Sequence, residues 1–189
     1  MTRKLLYTLD EFAYDIKNVV DTDGEGMDAV LRMGRYLQRL TTENDPDAFW
    51  DYGVPAKISS GLPGQRLYDD PDQRFRLLLA EYPPDTPTAV HSHEGWVVIG
   101  ILKGSERYTS WRRTDDGTDS SKATLEIAQD HHLLPGEFGY LFKEPYNVHR
   151  QAAESKGALE IVLMEGRGQR LVHIDEETGD CSQPIDLGR

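Results

Sequence analysis

Ala89-Val90-His91-Ser92-His93-Glu94-Gly95-Trp96-Val97-Val98-Ile99-Gly100-Ile101-Leu102-Lys103-Gly104 opens on two histidines one residue apart and runs into the most apolar stretch of the chain. In a strand, residues i and i+2 face the same way. His91 and His93 are therefore expected to aim both imidazoles into the interior of a sheet. A third histidine, His149, ends Pro145-Tyr146-Asn147-Val148-His149 far downstream. Two neutral nitrogen donors on one face, with a third from a distant strand, form the pattern of a divalent transition-metal site. Without a ligand to share, such a pair would leave buried polar groups unmatched. His131, His132 and His173 read instead as surface or hydrogen-bonded residues.

Outward from this stretch, the chain after Val54 has the texture of short strands broken by Gly, Pro and Asp turns. Strands are expected at 66–68, 75–82, 89–93, 96–102, 106–111, 125–134, 139–142, 148–152, 159–164 and 170–173. Lys103-Gly104 reads as the turn of a hairpin, and 114–121 as a polar loop. Many short strands at fairly even spacing indicate a sandwich or small barrel. The region before it is helical. Thr8-Leu9-Asp10-Glu11 is a capping box, in which the Thr hydroxyl and Glu carboxylate satisfy free amides at a helix start. Phe12, Ile16 and Val19 follow at helical spacing, and Asp21-Thr22-Asp23-Gly24 ends that helix. A second helix over 27–40 carries Val30, Met33, Leu37 and Leu40 on one face, and Asn44-Asp45-Pro46 stops it. Such stripes must pack on something, and the barrel wall is the expected partner. The expected organisation is one domain over 1–189: helices over 1–52, a β-barrel over 54–176 and a loose acidic tail over 177–189.

Composition narrows the class. The 189 residues are 38% hydrophobic and 29% charged, with net charge -12 and a pI near 4.9. An acidic chain is a poor partner for nucleic acid or anionic membranes, which bind clustered Lys and Arg. The single cysteine, Cys181, cannot form an internal disulfide, which fits a reducing compartment. Asp10 and Glu11 interrupt the start before any long apolar run, so no signal peptide is expected, and no run has membrane-spanning length. The expected location is the cytoplasm.

The residues 82–104, with His91-x-His93 and Gly104, resemble the first motif of the cupin superfamily. Leu134-Pro135-Gly136 through Pro145-Tyr146-Asn147-Val148-His149 resembles the second. The chain is most similar to cupins of the cysteine dioxygenase type, which also begin with helices, and the similarity spans most of its length. The resemblance implies a mainly β fold, a double-stranded β-helix (cupin or jelly-roll barrel) with N-terminal α-helices packed on it. It implies Fe(II) held by His91, His93 and His149, and Arg66 in the place of the family's carboxylate-binding arginine. From its residue type alone, Arg66 is equally an exposed strand charge. The implied reaction is the oxidation of a small thiol carboxylate to a sulfinate with O2. Homodimer formation through an edge strand is left open.

This sequence also departs from the pattern. Val97 and Val98 stand where many cupins carry a glutamate ligand, and strand alternation turns Glu94 away from His93. Three neutral histidines then leave the cation's charge for an anionic substrate and positions open for oxygen. Met164 and Val162 stand where thiol dioxygenases have a tyrosine and its supporting histidine, and Val98 replaces a cysteine. Tyr140 or Tyr146 is the candidate substitute. Trp96, Tyr108 and Trp111 are pocket or core candidates; Glu106, Arg107, Arg112 and Arg113 read as exposed charges. Two alternatives follow: a three-histidine cupin enzyme of other chemistry (diketone or aromatic-diol dioxygenase, lyase or isomerase, with Zn, Mn or Ni), or a non-catalytic metal-binding module.

Overall fold

The computed structural model describes residues 3–58, 63–166 and 170–186. The fold is mainly β, with two N-terminal helices lying on one face of a curled antiparallel sheet. Helix α1 (Leu9–Asp23) starts at the capping box: the Thr8 hydroxyl accepts from the Glu11 amide, and the Glu11 carboxylate accepts from the Thr8 amide. Helix α2 (Met27–Glu43) follows, then a 3-10 turn at Pro46–Asp51. Val30, Met33, Leu37 and Leu40 of α2 are fully buried, each contributing about 1.5–3 kcal/mol of transfer free energy. Among the described residues, no helix is long and apolar enough to cross a membrane.

The strands are β1 (Val54–Lys57), β2 (Pro63–Asp69), β3 (Phe75–Tyr82), β4 (His91–His93) and β5 (Val97–Arg113). They continue as β6 (Leu125–Leu133), β7 (Phe138–Leu141), β8 (Val148–Glu165), β9 (Arg170–His173) and β10 (Ile185–Asp186). β3 shows how the layers arise. Phe75, Leu77 and Leu79 pack with the helices, while Arg76, Leu78, Ala80 and Tyr82 line a cavity on the other face. The turn before β3 is tied to α1 through Asp70, whose side chain is fully buried. Arg74 Nε donates to Asp70 Oδ2 at 2.7 Å and Arg74 Nη1 to Asp21 at 2.9 Å.

The expected hairpin turn at Lys103-Gly104 is absent, and two pairs of expected strands merge. The segments 96–102 and 106–111 belong to one 17-residue strand, β5, and 148–152 and 159–164 to one 18-residue strand, β8. Antiparallel pairing of β5 with β8 runs from Val97↔Met164 to Trp111↔Val148, with register shifts around Lys103 and Gly104. The pair turns a corner there instead of reversing. Gly104 (φ 72°) and Gly157 (φ 74°) both adopt the left-handed conformation at the corner. A Cβ on Gly104 would stand 1.9 Å from the Gly157 carbonyl oxygen. One half of β8 pairs with β3 and the other with β4, so the same two long strands build both halves of the barrel.

The tail is not loose as far as it is described. Cys181 N donates to Ser121 O at 2.9 Å, and Ser182 N to His173 O at 2.8 Å. β10 then pairs with β9 and brings Ile185 and Asp186 to the cavity. Nothing local in an acidic, Gly-containing stretch announces pairing with strands this distant.

Candidate metal centre

β4 is three residues long, and both its histidines face inward: His91 is 5% and His93 3% exposed. Strand alternation does this, with Ser92 between them on the opposite face. Antiparallel pairing places His149 directly across from His91, and Ser110 of β5 across from His149. Asn147 secures the end of β4, its Nδ2 donating to His93 O at 2.7 Å while His93 N donates to Asn147 O at 3.0 Å. The ring centroids lie 5.0 Å (His91–His93), 4.4 Å (His91–His149) and 5.3 Å (His93–His149) apart. One nitrogen from each comes within 4.8 Å of the others, the only such His, Cys, Asp or Glu group among the described residues.

The protonation states suit ligands. His91 Nδ1 is 2.9 Å from the Ala89 carbonyl oxygen, so Nδ1 carries the proton and Nε2 keeps its lone pair for the site. His149 Nε2 points at His91 Nε2 across 2.9 Å. Two nitrogens around one tetrahedral cation sit about 3.4 Å apart, so a small outward movement accommodates an ion. Burial lowers the His91 pKa to about 4. Burial and then the neighbouring imidazoles push His149 well below its usual value. Convergent imidazole nitrogens of this kind fit a transition-metal ion. Glu94 does not join them, since its carboxylate faces away and meets Arg170 Nη2 at 2.5 Å. His131, His132 and His173 are exposed, and His132 Nδ1 lies 2.9 Å from Glu154.

The histidines form one wall of a cavity of about 400 Å3, a size suited to a small molecule. Arg66 lines it from β2, with its side chain 44% exposed and Nε 3.0 Å from Asp69 Oδ2. Val162 and Met164 also line it.

Neither candidate tyrosine is there. Tyr140 pairs with Val98 and packs with it towards the helices, while its neighbour Leu141 takes the barrel face. Tyr146 is 46% exposed on the loop before β8. The tyrosine that lines the cavity is Tyr82, 5% exposed at the end of β3. Trp96 is fully buried under the helices, and Trp111 lies in an apolar cluster with Val90 and Val148. Tyr108 is buried beside the site, its ring 5.7 Å from that of His149 and its hydroxyl donating to Tyr140 O at 2.8 Å.

Four residues of the interior escaped the sequence reading. Arg76 lines the cavity from β3, and alternation with Leu78 and Ala80 was the available signal. Gln151 lines it two residues after His149, on the same face of β8. Glu106, expected on the surface, is fully buried together with Glu160. Gln151 Nε2 bridges both carboxyls, at 3.1 and 3.3 Å from the Glu106 oxygens and 2.6 Å from Glu160 Oε2.

A scan of protein-family models finds no match to this chain, and a search of curated proteins finds none either. Solved structures of similar shape do exist. An RmlC-like cupin from Ralstonia eutropha JMP134 shares 14% identity over 71% of this chain and 74% of that one, with a TM-score of 0.46. An acetylacetone dioxygenase from Acinetobacter johnsonii shares 17% identity over 71% and 79%, with a TM-score of 0.42. Pro-11S globulin of pumpkin shares 12% identity over 65% and 31%, with a TM-score of 0.47.

Proposed function

We propose that this chain is a metal-dependent dioxygenase of the cupin type. In this reading His91, His93 and His149 hold a divalent transition metal, Fe(II) in first place, and the cavity takes a small carboxylate-bearing substrate and O2. The observation that carries the reading is the convergence of three imidazole nitrogens within 4.8 Å on the wall of a cavity. A structural site normally closes with a fourth protein ligand, whereas catalytic sites keep a position open. With Glu94 turned onto Arg170, the open side here faces the cavity.

When bound, the iron supplies a redox couple and open coordination positions for oxygen chemistry. The chain's own residues do the rest. The Ala89 carbonyl fixes the His91 tautomer. Arg66 and Arg76 offer guanidinium groups to a substrate carboxylate. Leu78, Val97, Val162 and Met164 give the cavity an apolar, water-excluding wall. For a thiol carboxylate, both atoms of O2 would be added to sulfur, giving a sulfinate.

One observation favours a second reading. Met164 and Val162 fill the wall where thiol dioxygenases place a phenol and its histidine, so the apolar surface suits carbon–carbon cleavage in a diketone.

Anaerobic loading with Fe(II), then oxygen uptake with cysteine, 3-mercaptopropionate, cysteamine and acetylacetone, tests both. Uptake with a thiol that carries a carboxylate is expected. Uptake with acetylacetone alone transfers the site to the second reading. No uptake from any of them at full metal occupancy removes the dioxygenase assignment.

A further inference from the structure

The Glu106–Glu160 pair has no part in the reading above, yet it lies inside the barrel. Both side chains are fully buried and hydrogen-bond to each other, and a single amide group faces them both. Two buried carboxyls in contact cannot both ionise, so they share one proton. Burial raises both above the ordinary glutamate range.

The consequence falls on Gln151. An amide that faced carboxyl oxygens with its own oxygen would repel them, so the pair holds the Nε2 edge and fixes which way the amide points. Its backbone is held as well, with Thr88 N donating to Gln151 O at 2.8 Å and Gln151 N donating to Thr88 Oγ1 at 3.1 Å. Both amide hydrogens are committed to Glu106 and Glu160. Oε1 is then the side chain's one polar atom without a described partner, on a residue that is 4% exposed and lines the cavity beside His149. A carbonyl oxygen held in one orientation on a cavity wall is a ready acceptor.

We infer that Gln151 is a specificity-determining residue: its Oε1 accepts a hydrogen bond from an N–H or O–H group of the substrate, and Glu106 and Glu160 are positioning residues that hold it there. This rests on the proposal that the cavity binds a small carboxylate beside the three histidines. It deepens that proposal by naming the substrate class, an acid that carries a hydrogen-bond donor as well as its carboxylate. Arg66 and Arg76 would take the anionic end from β2 and β3, and Gln151 the donor from β8.

The test is anaerobic binding to the metal-loaded protein of two matched series. Cysteine, 3-mercaptolactate and 3-mercaptopropionate differ at one carbon by amino, hydroxyl or hydrogen. Alanine, lactate and propionate repeat the series without sulfur. The donor-bearing members are expected to bind about five- to tenfold more tightly than the member with hydrogen. Gln151→Met should remove that preference, and Glu106→Gln and Glu160→Gln should weaken it by freeing the amide to turn, while equimolar metal is retained. An infrared band of a protonated carboxyl should persist at neutral pH in the wild type and be lost only when both glutamates are replaced by glutamine; its absence in the wild type overturns the shared proton and the positioning role. A preference seen only among the plain acids keeps this inference and removes the thiol substrate. Equal binding within each series, a preference that survives Gln151→Met, or no binding of any of the six acids overturns the inference.

Discussion

His91 and His149 face each other with their Nε2 atoms 2.9 Å apart, while His91 Nδ1 is engaged by the Ala89 carbonyl oxygen. Neither ring is positioned to gain a proton cheaply in this burial, so the arrangement is poised for a shared cation. His91→Ala, His93→Ala and His149→Ala should each lose stoichiometric metal. Wild type at metal concentrations near 100 Kd should gain about 2.7 kcal/mol, or roughly 5–10 °C in Tm. Metal analysis and thermal melts check this, and an alanine variant that still held one equivalent would refute the ligand set.

Arg66 and Arg76 reach the cavity from adjacent strands. Removing a charged hydrogen-bond donor to a carboxylate costs about 1.5–3 kcal/mol. Arg66→Ala or Arg76→Ala should therefore weaken binding of a small carboxylate about 10- to 100-fold and leave metal content unchanged. If both variants bound carboxylates as the wild type does, the anionic end of the substrate would have to lie elsewhere.

The carboxyl pair gives a pH dependence of defined sign. Burial raises Glu106 to about 7, above its value in the unfolded chain. The folded state therefore holds more protons than the unfolded state between about 4.3 and 7. Glu106's contribution to stability is full below that window and is lost as pH rises through it, while Glu160, held higher by burial and then by Glu106, keeps its proton beyond it. The buried, neutral His91 acts in the opposite sense, since its pKa is lowered. The difference between wild type and Glu106→Gln isolates the titration of Glu106: the variant's Tm, relative to wild type, should rise from about pH 5 to about pH 8. Parallel Tm curves would mean that the two carboxyls do not share a retained proton.

Gly104 has a positive φ and backbone against the place where a Cβ would go. Gly104→Ala should cost about 3 kcal/mol, the sum of left-handed strain and a displaced strand crossing. Urea unfolding measures it, and a change under about 0.5 kcal/mol would show that the corner tolerates a side chain.

The histidines were legible because their geometry is local: period two on one strand needs nothing from the rest of the chain. The Thr8–Glu11 cap was legible for the same reason. Glu106 was not. Up to Ile101, odd-numbered residues of β5 face the barrel interior; after the register shifts around Lys103 and Gly104, Glu106 and Tyr108 face it. A bulge that reverses the phase cannot be seen by counting along the strand. Tyr140 failed on a related point, because β7 is four residues long and only its pairing of Leu141 with Val97 fixes which face is which. Resemblance placed Arg66 at the cavity, whereas Arg76 required knowing which face of β3 looks inward.

β8 carries His149 near its start, then Gln151, then Glu160, and towards its end Ile161 and Leu163, which pack in the helix-facing layer. One continuous strand thus carries a histidine of the candidate site, the Gln151 of its cavity wall and part of the apolar layer beneath the helices.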